Sequence, residues 1–261
     1  MMRIAVVVAL ALVLVTADRA PAQQAEFDII VLGEMHDNPD HHQVQAAWVR
    51  DFPPTALVFE MLLPGQVARA EGINRADLPA LEAALGWNAS GWPDFAMYHP
   101  IFAAGPTVPL FGAAVPRDEV MRAAQEGAAA IFGPQAVQFG LVPLPPVDQA
   151  AREAEQMTAH CDALPAEAMS GMVDAQRLRD AHFARVAIEA FDTHGGPVVV
   201  ITGNGHARND RGIPHVIAIA RPELRVFSMG QFEAEPEGEQ PFDGYFVAAP
   251  VERGDPCDAF R

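Results

Sequence analysis

The chain has 261 residues, with 17 basic against 34 acidic side chains and a formal net charge of −17. That balance argues against nucleic acid as a partner. Every basic residue is arginine, which excludes chemistry built on a lysine amine, such as a Schiff base, a phosphate-loop lysine or a kinase-type ion pair.

Met1 to Ala22 reads as a secretory signal peptide: Arg3 leads, an apolar core runs from Ile4 to about Thr16, and Ala20-Pro21-Ala22 supplies a small-residue cleavage site. The core is too short to span a bilayer, so if retained it would be only a loose anchor. No cysteine precedes Cys161, so there is no lipid-acceptor cysteine, and the expectation is a periplasmic or secreted protein. Residues 23–261 can bury one sizeable core, as one domain or as one domain with a subdomain.

The first predicted strand, Asp28 to Leu32, is a continuous β-branched and aliphatic run of the kind buried on both faces of a parallel sheet. Gly33-Glu34-Met35-His36 follows it directly. Ligands of such sheets bind beyond the carboxyl ends of the strands. Glycine is expected there because it lets the chain turn sharply out of the sheet. Asn38 and Pro39 then open a helix through Arg50 as cap and first-turn residue. On that helix His41 and His42 stand about 100° apart, so both cannot face one site.

Ala56 to Glu60 is the second strand and brings a carboxylate to the same sheet edge. From Met61 to about Gly105 the strand signal disappears; Leu62 to Leu85, interrupted by Pro64 and Pro79, reads as short helices. Gly91 to Pro100 holds Trp92, Phe95 and Tyr98, an aromatic group that in a loop usually closes over a core. Val108 to Ala113 and Ala136 to Leu141 are the next strand candidates, and Pro143 to Pro146 is a connector. Asp148 to Gly171 is a second helical zone; Met157, Met169 and Met172 suit gap-filling packing there.

The longest helix should run from about Val173 to His194, with Leu178, Phe183, Val186, Ala187, Ala190 and Phe191 as its apolar stripe and Gly195-Gly196 as its stop. Pro197 to Thr202 is another buried strand, followed at once by the second Gly-x-x-His, Gly203-Asn204-Gly205-His206. Gly212-Ile213-Pro214 opens a further helix. Leu224 to Met229 and Tyr245 to Ala248 complete the strands, with an acidic loop over Glu233 to Glu239 between them. Alternating strands and helices define an α/β class, a mostly parallel sheet flanked by helices.

Two imidazoles delivered to one sheet edge can share a metal or a ligand, and His36 and His206 with Glu34 form a set suited to zinc, manganese or iron. Each also stands near a helix start, which favours bound carboxylates. Cys161 and Cys257 suit one disulfide in an oxidising compartment, with two free thiols or a metal pair as alternatives.

The segment Gly33 to Pro39, His42 and Gln45, Gly91-Trp92-Pro93 leading to Tyr98 and Pro100, Arg179-Asp180, and Gly203 to His206 together resemble the ChaN-like haem-binding uptake proteins. Their superfamily also holds the Tiki metalloproteases and erythromycin esterase-like enzymes. The resemblance spans about Asp28 to Tyr245. It implies an α/β core, about 26–61, 106–142 and 173–250, with a smaller helical subdomain from about 62–105 and 148–172. It also implies a place outside the cytoplasm and haem binding in iron acquisition, with Tyr98, His99, Trp92 and His42 as haem contacts. Haem or another small molecule is then the ligand, and a homodimer or outer-membrane uptake machinery would be a protein partner. The alternative it carries is a metal-dependent hydrolase, in which His36 and His206 hold manganese, cobalt or zinc and Glu34 or Glu60 activates water. In the family comparison Arg179 and Asp180 form a pair; read alone, they are a helix-surface ion pair.

Overall fold

The computed structural model describes residues 26–255 and 257; the signal-peptide reading lies outside the described residues. The elements run in the order β1 (Ile29–Leu32), α1 (Pro39–Asp51), β2 (Ala56–Phe59), α2 (Pro64–Arg69), α3 (Leu78–Leu85), α4 (Phe95–Ala104), β3 (Leu110–Gly112), α5 (Arg117–Glu126), α6 (Ala128–Phe132), α7 (Pro146–Ala159), α8 (Met169–His194), β4 (Val198–Ile201), α9 (Asn204–Ala207), α10 (Ile213–Ala220), β5 (Val226–Phe232) and β6 (Gly244–Val247). Short 3-10 turns at Trp87–Ala89 and Ala166–Ala168 join α3 to α4 and lead into α8.

The six strands form one sheet in the order β3-β2-β4-β1-β5-β6, and every pairing is parallel. Strands β1, β2 and β4 are buried along their whole length, as their unbroken apolar runs require when both faces are covered. Alternation sends their side chains to two cores. Ile30, Leu32, Leu57, Phe59, Val199 and Ile201 pack with α1, α3 and α4. Ile29, Val31, Ala56, Val58, Val198 and Val200 pack with α6, α8 and α10. The chain leaves β1 for a helix on the first face and β4 for helices on the second. These two strands are neighbours, so a crevice opens between their carboxyl ends, where open α/β sheets bind ligands.

Local signals explain the helix starts. Asn38 caps α1 by accepting from the Asp40 N–H, with Pro39 in the first turn. Asp77 and Asp94 cap α3 and α4 in the same way. Helix α8 is the longest, beginning four residues before Val173 and ending at His194. The segment between β2 and β3 packs on α1, whereas α7 packs on α8.

One expected strand is absent. Residues 136–140 are turns, not a strand. The Leu141 N–H bonds to the Ala136 carbonyl and the Gly140 N–H to that of Val137, with Gly140 at φ +72°. This is the closing motif of a helical turn, in which glycine takes the left-handed position. Its buried residues Ala136, Phe139 and Leu141 belong to the α8 core, so the apolar run reflected burial and not strand pairing.

Candidate functional site

The two Gly-x-x-His segments leave the carboxyl ends of the adjacent strands β1 and β4 and meet there. Their glycines are needed for close approach. A Cβ on Gly33 would lie 2.4 Å from Asn204 Oδ1 and 2.9 Å from the Met229 carbonyl, and one on Gly203 would lie 2.8 Å from His36 Nε2. Gly203 itself has an ordinary extended backbone, φ −68° and ψ 154°. The expected sharp turn is therefore not its reason for being glycine.

Each imidazole is held by a carboxylate on its Nδ1 side. His206 Nδ1 lies 2.6 Å from Asp180 on α8, and His36 Nδ1 lies 2.8 Å from Glu34. Such a partner fixes the ring and directs Nε2 away from it. Glu60, at the end of β2, stands against the second segment: its Oε2 accepts from the Thr202 hydroxyl at 2.6 Å and the Gly203 N–H at 2.8 Å, and its Oε1 is 3.6 Å from His206 Nε2. Burial lowers the His206 pKa, but Glu60 and Asp180 outweigh it and raise the ring above its ordinary value. His36 is likewise raised, because Glu34 offsets its burial.

Behind His36 lies a closed network. Glu34 Oε1 accepts from the Tyr98 hydroxyl at 2.7 Å, and Oε2 accepts from Gln45 Nε2 at 2.7 Å. His42 Nδ1 approaches Oε2 at 3.3 Å, and His42 Nε2 meets the His36 carbonyl at 3.0 Å. Burial would raise the Glu34 pKa, but the hydrogen bonds from His36 and His42 hold it at about 2.

The other side chains expected at the site take different places. Tyr98 is fully buried on α4, its hydroxyl is committed to Glu34, and burial with that carboxylate pushes its pKa far above the ordinary phenol value. His42 is also fully buried, stacked on Tyr98 with centroids 4.0 Å apart, so it supports the site from behind. His41 is buried as well, and its Nδ1 accepts from the Met35 N–H. His99 turns away, with Nε2 on the Arg75 carbonyl at 2.9 Å. Both oxygens of Glu34 are hydrogen-bonded within this network. Among the described residues no group of three or more His, Cys, Asp or Glu side chains converges to hold a metal ion. Arg179 and Asp180 do not pair: Asp180 holds His206, while Arg179 lines the cleft that His206 also borders.

That cleft has a volume of about 840 Å³, within the roughly 300–1,000 Å³ of small-molecule sites. His206 and Glu60 lie on its inner wall; Trp92, Phe183, Met61, Leu63, Val115 and Val120 supply apolar surface, and Arg69, Arg117 and Arg179 add positive charge. Trp92 also packs edge-on against His36, centroids 4.8 Å apart, which joins the second imidazole to the cleft wall. Asp180 was expected to pair with Arg179 and not with His206, and Thr202, Arg69 and Arg117 carried no expectation from the sequence. Nothing in their local sequence marks them, because each reaches the site from a different element.

The expected disulfide is present between Cys161 and Cys257. No helix among the described residues is long and apolar enough to cross a membrane.

The fold is similar to that of ChaN of Campylobacter jejuni, a structure described as showing cofacial haem binding, with a TM-score of 0.58 and 17% identity over 83% of this chain and 85% of that one. The type III effector HopBA1 matches at a TM-score of 0.45 and 12% identity, over 85% of this chain and 88% of that one. A succinoglycan biosynthesis protein matches at 0.38 and 11%, over 80% and 66%. A comparison with curated proteins finds no match. The model of the family described as "Haem-binding uptake, Tiki superfamily, ChaN" matches residues 21–217, and the chain belongs to that family.

Proposed function

We propose that the protein binds haem in the cleft beside His206 and serves iron acquisition outside the cytoplasm. The observation that carries this reading is the combination of donor types in one cavity. Haem is a flat apolar macrocycle with two carboxylates and an iron that accepts imidazole nitrogen. The cleft offers apolar and aromatic walls, three arginines, and an imidazole whose Nδ1 is already engaged by Asp180. Arg117 and Arg179 form no ion pair among the described residues, so their guanidinium groups are available to carboxylates, which they hold in bidentate fashion. Trp92 and Phe183 would cover the ring faces, and His206 would approach the iron, with Asp180 keeping its Nε2 oriented. When bound, haem supplies the iron that the uptake function carries.

The test is a haem titration of the purified protein followed by its absorption spectrum. The expected outcome is saturable binding that weakens at least tenfold in His206→Ala and is reduced in Arg117→Gln and Arg179→Gln. Unchanged affinity in all three variants would overturn this placement. Export is tested separately, by the mass of protein recovered from a periplasm: loss of residues 1–22 supports it, and retention of the intact N terminus argues against it.

A further inference from the structure

We propose that a second pocket, between α7, α8 and the segment leading into α10, is a binding site for a small polyanion bearing phosphate or clustered carboxylate groups. The pocket has a volume of about 350 Å³ and is lined by Arg152, Arg177, Arg208 and Arg211. Three of these, Arg152, Arg177 and Arg211, continue into an adjoining recess that also presents His215. In a chain of net charge −17 with only 17 basic residues, four guanidinium groups against two lining carboxylates, Glu155 and Asp180, make this pocket locally positive. Holding like charges together is unfavourable unless something offsets them.

The surrounding contacts offset three of the four. Arg177 donates to the carbonyls of Gly140 and Val142, Arg208 pairs with Asp210, and Arg211 pairs with Glu155 on α7. The fourth, Arg152, forms no hydrogen bond or ion pair among the described residues. It is half-buried, and burial followed by the nearby Arg211 pushes its guanidinium below the ordinary value. Planar five-donor forks lining one pocket suit recognition of phosphate or carboxylate oxygens. Of the two acids on the pocket wall, Glu155 is paired with Arg211 and Asp180 is hydrogen-bonded to His206, acting on Arg152 only through space. The pocket is separate from the haem cleft: Arg179 and Phe183 line one cavity, while Gln176, Arg177 and Asp180 line the other. The inference therefore does not depend on haem binding.

Calorimetric titration of the purified protein with inorganic phosphate, pyrophosphate and citrate, at an ionic strength held constant with chloride, tests the proposal. Saturable binding at one site is expected with at least one of these anions. Arg152→Gln should weaken it at least tenfold, whereas Arg221→Gln, which removes a guanidinium paired elsewhere with Asp192 and Glu223, should leave it unchanged. Tighter pyrophosphate than citrate assigns phosphate as the ligand chemistry; the reverse order assigns carboxylate. Should Arg152→Gln fail to fold, Arg152→Lys keeps the charge but loses the fork, and is expected to bind at least threefold more weakly. Absence of saturable binding with all three anions, or affinity unchanged in the folded Arg152 variant, would overturn the proposal.

Discussion

Glu34 is the residue on which the site's internal support converges, and its titration gives a prediction with a defined pH window. Its folded pKa of about 2 lies below the ordinary 4.5, so its stabilising contribution is complete above about 4.5 and is lost as pH falls toward 2; the shift corresponds to about 3 kcal/mol. His36 and His42 are shifted upward, so their contribution is complete below their ordinary 6.5 and fades as pH rises through the raised values. The contribution of this cluster, read by urea denaturation as the difference between the parent and Glu34→Gln, should therefore be greatest between about pH 4.5 and 6.5. Glu34→Gln should flatten both limbs; unaltered pH dependence in that variant would refute the coupling. Tyr98→Phe removes one hydrogen bond to a buried carboxylate and should cost about 1.5–3 kcal/mol. Because Tyr98 is fully buried, haem titration of this variant should match the parent. A lost haem spectrum in folded Tyr98→Phe would show instead that the phenol is a ligand. Neither His42 nor Tyr98 could be assigned to support from its sequence neighbours, since their partners lie 8 and 64 positions away at Glu34.

At the level of elements, the two loops after β1 and β4 interlock through small residues. Asn204 Nδ2 donates to the Gln231 carbonyl, Gln231 N donates back to Asn204 Oδ1, and Gly33 lies against this clamp. Gly33→Ala must displace Asn204 or the β5 backbone and should lower stability by about 1–3 kcal/mol. Gly65→Ala is the control: a Cβ there meets nothing within 4 Å, so the exchange should be neutral or slightly stabilising. Equal losses in the two variants would show that close packing is not what Gly33 provides. Strand and helix identity were well marked where a period or a cap was present, as at β1, β4 and the Asn38-capped α1. They were poorly marked at 136–141, where an apolar run in a helical turn carries the same composition as a buried strand.

For the molecule as a whole, the C-terminal segment is fastened at two places. Arg253 pairs with Asp37 beside His36 and with Glu233, and Cys257 is bonded to Cys161 across 96 residues. Reduction should lower the unfolding free energy by about 4–5 kcal/mol on the chain-entropy model, measurable as a shift in the denaturation midpoint. No shift on full reduction would show that the cross-link does not constrain the unfolded chain. The sequence by itself determined the α/β class, the buried strands, the Asn38 cap and the two glycine-histidine loops, because these depend on local periodicity and on residues a few positions apart. It also carried the family resemblance, through motifs contiguous in the chain. Only the tertiary structure decided that Tyr98 and His42 stand behind the site, that Asp180 belongs to His206, and that arginines from distant elements line the cleft. Those assignments depend on which strands become neighbours, and the crossover between β1 and β4 sets them through contacts that no local sequence pattern encodes.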